Sequence, residues 1–336
     1  MSESLDLLSA TANRLFADLA GRRDEPFDVL WPQIDETGFP ALLVPEARGG
    51  FGGDWSDAFA VARLSGVHAL GLPVADAIIA RAVSDQAGFD EADGLVLVAP
   101  ACKGRLDNRR FTGNLIGVPW GRNASHVIAE CDGTIIRLAA GRALDINERA
   151  NTAGDPRDYL TFDASIADVA ATTATAPGTR ALGALLRTAQ IAGALDAALA
   201  LSITHVNQRV QFGKPLAKFQ AMQQSLAVFA EEAAAVNCAG QAAANAADRA
   251  GAELEIACAK LRANMAAGTG GTIAHQAHGA IGFTQECGLH LLTRRLTSWR
   301  SEFGGDRYWA EMLGNFAARI GADAVWPELV RRGDTI

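Results

Sequence analysis

Residues 219–236 read FQAMQQSLAVFAEEAAAV, and the spacing of their apolar side chains decides the fold class. Phe219, Met222, Leu226, Phe229, Ala233 and Val236 recur at alternating steps of three and four, so they lie on one stripe of an α-helix. The same period runs through Leu289, Leu292, Leu296, Trp299 and Phe303. Two further helices follow from Leu185, Ala189, Ala192, Leu195, Leu199, Ile203 and Val206, and from Leu254, Cys258, Leu261 and Met265. Four helices that each have one apolar face to bury make a bundle. Alanine runs at 233–235 and 242–244 let neighbouring helices approach closely.

Upstream the pattern changes twice. Between 93 and 175, β-branched residues and turn formers dominate, as in Leu95-Val96-Leu97-Val98, His126-Val127-Ile128, Thr134-Ile135-Ile136 and Tyr159-Leu160-Thr161-Phe162. Before that, Leu5, Leu8, Ala12, Leu15 and Leu19 form another helical stripe, and the glycine-rich loop 49–53 leads into Asp54, a suitable helix N-cap. The expected fold is α+β and mostly α. It comprises a helical N-terminal domain (1–92), a small central antiparallel β domain (93–175) and a C-terminal four-helix bundle (176–336).

The 336 residues are 49% hydrophobic and 20% charged, an ordinary globular composition. With 30 basic and 38 acidic side chains the net charge is −8, which disfavours nonspecific binding to nucleic acid or an anionic membrane. Five widely spaced cysteines without a Cys-x-x-Cys pair read as reduced thiols, so a cytoplasmic setting is expected. No basic leader opens the chain, and no apolar run approaches the roughly 18 residues of a membrane span.

Three segments carry candidate chemistry. Arg209-Val210-Gln211-Phe212-Gly213-Lys214-Pro215 lies between two bundle helices and presents Arg209 and Lys214 at a corner. That corner suits a bound phosphate. It equally suits simple compensation of the preceding helix's C-terminal partial charge, worth about 0.3 to 1 kcal/mol. In Gln276-Ala277-His278-Gly279-Ala280-Ile281-Gly282-Phe283-Thr284, two glycines interrupt a helical run. They either let a ligand approach the backbone or simply end the helix. His275 and His278 lack a third ligand at zinc spacing, so no metal is expected. In the third segment, Glu302 follows the last periodic helix, where the helix dipole favours a raised pKa and a general-base role; a solvated surface Glu is the plain alternative. No Ser-His-Asp elbow, Walker loop or Gly-x-Gly-x-x-Gly turn is present.

Taken in order, residues 38–52 (GFPALLVPEARGGFG), the Arg209–Pro215 loop with Gln220, and the Gln276–Thr284 stretch resemble the acyl-CoA dehydrogenase family across nearly the whole chain. The resemblance implies FAD as cofactor. It places Arg209, Gln211, Phe212 and Gln220 among the FAD contacts, with Arg209 gripping the pyrophosphate, and Gln276, His278, Gly279 and Ala280 along the ADP half. It further implies α,β-desaturation of an acyl-CoA thioester with electron-transfer flavoprotein as acceptor.

Other positions depart from the family. Gly117-Val118-Pro119 stand where a Trp-Ile-Thr walls the flavin, with Trp120 the nearest substitute. Gly304 stands at the usual base position, Gly183 at the alternative one, and Glu302 is the nearest carboxylate. In family dimers the retained segments reach across to the neighbour's FAD, whereas the missing ones serve the subunit's own flavin. The chain therefore resembles an accessory subunit that shares FAD with a homologous catalytic acyl-CoA dehydrogenase subunit. The alternatives are a homomeric enzyme using Glu302 and a flavin-free helical scaffold. Arg294, Arg295 and Arg300 are candidates for CoA phosphates or form a plain basic face.

Overall fold

A computed structural model of the chain describes residues 3–171, 177–249 and 251–333. Helices α1 (Glu3–Gly21), α2 (Phe27–Asp35), α3 (Trp55–Val67) and α4 (Val74–Gln86) come first. Asp54 does cap α3: its carboxylate accepts from the Asp57 N–H at 2.9 Å, and Asp57 reciprocates from the Asp54 N–H at 3.2 Å.

Eight strands follow: β1 (Val96–Val98), β2 (Ala101–Asp107), β3 (Arg110–Pro119), β4 (His126–Cys131), β5 (Thr134–Ala139), β6 (Asp145–Asn147), β7 (Arg157–Ile166) and β8 (Asp168–Ala171). They form two four-stranded sheets, ordered β1-β4-β5-β8 and β2-β3-β7-β6. Pairing is antiparallel except between β1 and β4, which run parallel. The β2–β3 hairpin supplies the crossover that such a parallel pair requires. The expected 175/176 boundary lies outside the described residues.

The bundle comprises α5 (Thr179–Gln208), α6 (Gln220–Ala247), α7 (Glu253–His278) and α8 (Leu289–Trp299), with the two-residue strands β9 (Val210–Gln211) and β10 (Lys214–Pro215) forming a hairpin between α5 and α6. Two more helices, α9 (Asp306–Ile320) and α10 (Ala322–Gly333), continue past the expected end of the periodic signal. Helix α5 is long and apolar enough to span a membrane, but 72% of its most apolar window is buried inside the protein, as befits a central helix. It meets α3 backbone to backbone: a Cβ on Gly193 would lie 1.9 Å from the Arg63 carbonyl oxygen, so only glycine allows the crossing.

One hydrophobic cluster joins the N-terminal helices, the sheets and the near ends of α5, α6 and α7; a second fills the far half of the bundle around Leu195, Phe229, Leu292 and Trp299. All five cysteines are free thiols.

Candidate functional site

Arg209 caps the C-terminus of α5, its N–H bonding to the His205 carbonyl at 2.9 Å. The chain then turns through the β9–β10 hairpin, where Phe212 adopts a left-handed φ of +52° and is 90% exposed. Non-glycine residues rarely take that conformation, and a phenylalanine rarely stands so free of the core. The Arg209 guanidinium is exposed and forms no hydrogen bond or ion pair among the described residues. Lys214 instead lies over the Phe219 ring, 4.3 Å from its centroid. Pro215 precedes a short 3-10 turn at Leu216–Lys218, and α6 opens at Gln220, whose side chain is exposed, as is that of Gln211.

At the end of α7, Gly279 takes φ +62° and closes the helix, with Gln276 and Ala280 exposed beside it. His278 sits differently. It is buried, its Nδ1–H donates to the Ala274 carbonyl at 2.8 Å, and its ring stacks on His205 at 4.6 Å between centroids. Burial and the stack make its ring a link between α7 and α5, a supporting position and not the exposed contact expected of it. The stack nonetheless brings the Arg209 corner and the Gly279 turn to the same end of the bundle.

Glu302 is neither solvated nor poised as a base. Its Oε1 accepts from Arg157 Nε at 2.9 Å and Asn151 Nδ2 at 3.1 Å; its Oε2 accepts from Arg157 Nη2 at 3.0 Å and Arg187 Nε at 2.7 Å. Arg187, 1% exposed, also grips Asp76 at 2.9 Å and Gln190 Oε1 at 2.6 Å. Burial alone would raise the Glu302 pKa, but the Arg157 and Arg187 guanidiniums outweigh it and hold the carboxyl well below the usual carboxylate range. A carboxylate with four donors and so low a proton affinity makes a poor general base. What Glu302 does is bind α4, the β domain, α5 and the turn after α8 into one network.

Beside it, Lys260 is fully buried on α7 and donates to Asn264 Oδ1 at 2.6 Å and to the Trp299 and Arg300 carbonyls at 2.8 and 3.3 Å. It satisfies the carbonyls that α8 leaves open at its end, and burial lowers its pKa to about 7. Sequence reading missed Lys260; a lone lysine in an alanine-rich helix was its only mark.

Both positions where the resemblance expects a base are filled by aromatic rings. A Cβ on Gly183 would meet the Phe303 ring at 2.1 Å. At Gly304, φ is +111° and a Cβ would meet Trp309 Nε1 at 2.6 Å. The flavin-wall substitute also fails: Trp120 Nε1 donates to the Gly71 carbonyl at 2.8 Å, and its ring stacks on Phe27 at 4.4 Å, which turns it into the N-terminal domain. Arg295 is buried against Asp155 at 2.6 Å, which removes it from the candidates for CoA phosphates. Among the described residues no group of three His, Cys, Asp or Glu could hold a metal ion.

Comparison with known proteins gives this geometry relatives. Residues 178–314 match the acyl-CoA dehydrogenase C-terminal domain. The acyl-CoA dehydrogenase IpdE2 of Mycobacterium tuberculosis (strain ATCC 25618 / H37Rv) is 28% identical over 281 residues, 79% of each chain. Residues 178–314 thus carry the signature of an acyl-CoA dehydrogenase C-terminal domain, and the chain is similar to acyl-CoA dehydrogenases over most of its length.

Solved structures share the acyl-CoA dehydrogenase fold. The Tcur3481-Tcur3483 steroid ACAD superposes with a TM-score of 0.87 at 23% identity, over 95% of this chain and 99% of that one. The ChsE4-ChsE5 complex from Mycobacterium tuberculosis gives 0.83 at 20% identity, over 94% and 97%. Butyryl-CoA dehydrogenase from Megasphaera elsdenii gives 0.81 at 18%, over 94% and 98%. The cofactor of acyl-CoA dehydrogenases is FAD, and the exposed end of this bundle suits it: an unpaired guanidinium at Arg209 and a bare backbone at Gly279 are what a pyrophosphate needs.

Proposed function

We propose that this chain is the non-catalytic subunit of an FAD-dependent acyl-CoA dehydrogenase, sharing FAD with an unlike catalytic subunit. The observation that carries the reading is the pair of filled base positions, Gly183 under Phe303 and Gly304 under Trp309, in a chain whose Arg209 corner stands open. The reaction is α,β-desaturation of an acyl-CoA thioester with electron-transfer flavoprotein as acceptor.

Desaturation needs a carboxylate to remove the α proton and donors to hold the thioester oxygen as charge develops there. FAD, when bound, supplies the acceptor for hydride from the β carbon. The residues of this chain act around that chemistry. Arg209 neutralises phosphate charge from a fixed helix corner, Gln211 and Gln220 offer amide groups beside it, and Gln276 with the bare Gly279 lines the nucleotide. Phe212 and Val210, 90% and 55% exposed, lie against the partner and keep water from the shared cofactor. Glu302 and Lys260 hold the turn after α8 in place. The α-proton acceptor comes from the partner.

A homomeric enzyme would need Glu302 as its base, and its four hydrogen bonds weigh against that role. Purifying the chain alone, and co-expressed with a candidate catalytic acyl-CoA dehydrogenase chain, tests the proposal. Flavin absorbance and turnover belong to the pair; tight flavin and full turnover in the lone chain would refute the accessory role.

A further inference from the structure

A cavity of about 180 Å³ lies between the end of α2, the 38–49 loop, α4 and the segment 89–92 that leads into β1. Among the described residues the bundle contributes nothing to its lining, so it shares no residue with the Arg209 corner or the Gly279 turn. Sites for drug-sized ligands run to roughly 300–1,000 Å³, so this one suits a smaller molecule than a nucleotide. Ser84 lines its wall at 8% exposure, and the Ser84 Oγ has no hydrogen-bond partner among the described residues. Buried hydroxyls are ordinarily satisfied, so an orphan one in the wall of a cavity points to a ligand.

The charges around it are unevenly paired. Arg48 is matched by Asp85. Arg137, itself buried, pairs with Asp168 at 2.7 Å, donates to the Asp90 carbonyl at 2.5 Å and lies over the Phe89 ring, 5.0 Å from its centroid. Arg81 is different: its Nη2 donates to the Gly94 carbonyl at 3.0 Å, and it forms no ion pair among the described residues. Asp35, Asp90 and Glu91 stand exposed at the rim, again without an ion pair among the described residues. One inner guanidinium and three rim carboxylates are thus left for a ligand.

A simple anion would meet three like charges at the rim, and a simple organic cation would meet Arg81 and Arg137 inside. A metal ion is no better served, since among the described residues no group of three His, Cys, Asp or Glu could hold one. A molecule with one carboxylate and two ammonium groups matches both ends. We propose that this cavity binds a free basic amino acid of the lysine type. Its carboxylate pairs with Arg81, whose guanidinium fork suits carboxylate geometry, and accepts from the Ser84 hydroxyl. Its ammonium groups face Asp35, Asp90 and Glu91, and its methylenes lie along the half-buried Phe89 ring. The inference goes beyond the accessory role, because the ligand is neither substrate nor cofactor of the desaturation.

The test is calorimetric titration of L-lysine into the full chain, beside three analogues that each lack a charged group: L-norleucine without the side-chain ammonium, cadaverine without the carboxylate, and hexanoate without either ammonium. The expected result is saturable lysine binding, at least tenfold tighter than that of any analogue, weakened in Ser84→Ala and lost in Arg81→Gln. Asp90 and Glu91 are exposed, so the Asp90→Asn, Glu91→Gln double variant folds even if Arg81→Gln does not, and it should bind lysine at least tenfold more weakly. An analogue that binds as tightly as lysine would overturn the proposal. So would the absence of saturable lysine binding up to millimolar concentration, or a lysine affinity unchanged in the double variant. None of these readings involves flavin content or turnover, the measurements on which the accessory role stands or falls.

Discussion

The imidazole of His205 lies against that of His278, centroids 4.6 Å apart and planes within 20°. Four residues after His205 comes Arg209, and directly after His278 comes Gly279. The contact between these two side chains thus fixes the spacing of the two segments assigned to FAD. Burial lowers the His205 pKa, with His278 and Arg209 adding to the effect. His278→Ala should loosen flavin in the assembled complex several-fold while leaving acyl-CoA affinity unaltered, read by equilibrium dialysis of the two ligands.

Glu302 is a keystone and not a base. Glu302→Gln leaves Arg157 and Arg187 facing a neutral amide in a nearly buried site, where removing one member of an ion pair costs about 3–5 kcal/mol. Urea unfolding of the variant should show that loss, whereas turnover per folded complex stays near wild type. Because the folded-state pKa of Glu302 lies below its unfolded value of about 4.3, its contribution is complete above that pH and disappears as pH falls further. The acid limb of the stability profile should flatten in Glu302→Gln. A selective collapse of turnover with intact stability would return Glu302 to the catalytic role.

Lys260 produces the opposite limb. Its folded pKa, lowered to about 7, lies below the unfolded value of about 10.4, so the unfolded chain binds more protons between them. Stability should rise with pH across that window, and Lys260→Met should remove the slope. Thermal melts between pH 6 and 10 decide it; an unchanged slope in the variant contradicts the assignment.

The glycines at the two base positions are structural facts as much as chemical absences. Gly183→Ala must push a Cβ into the Phe303 ring, and overpacking of this kind costs about 1–3 kcal/mol. The Gly183→Ala, Phe303→Ala pair should recover part of the loss, measurable as non-additivity in a double-mutant cycle. Neither Gly183→Glu nor Gly304→Glu should give a lone chain that turns over acyl-CoA.

Legibility followed periodicity. Helix α6 was readable from Phe219 to Val236 because its buried stripe is apolar throughout, and β4 and β5 from runs of Val and Ile. Helix α10 was not: its Trp326, Leu329 and Val330 stay exposed, so no buried face stamped a period on the sequence. Strand β2, Ala101–Asp107, was equally silent because none of its residues is fully buried. At the site, Arg209 and the Gly279 turn were legible as local motifs. The fate of Glu302 was not, since its partners Asn151, Arg157 and Arg187 lie 151, 145 and 115 residues away in the chain. Charge pairing across three layers of structure leaves no local spacing to read. His278 misled for a related reason, because a ligand-facing and a core-facing histidine differ only in what the neighbouring helix presents.

The most direct measurement is the flavin content of the co-purified complex carrying Arg209→Gln in this chain only. The account predicts that the wild-type chain alone is colourless, that the complex holds flavin, and that the single substitution lowers FAD affinity of the complex at least tenfold without dissociating its subunits. A complex that keeps its flavin undiminished when Arg209 is replaced would contradict it.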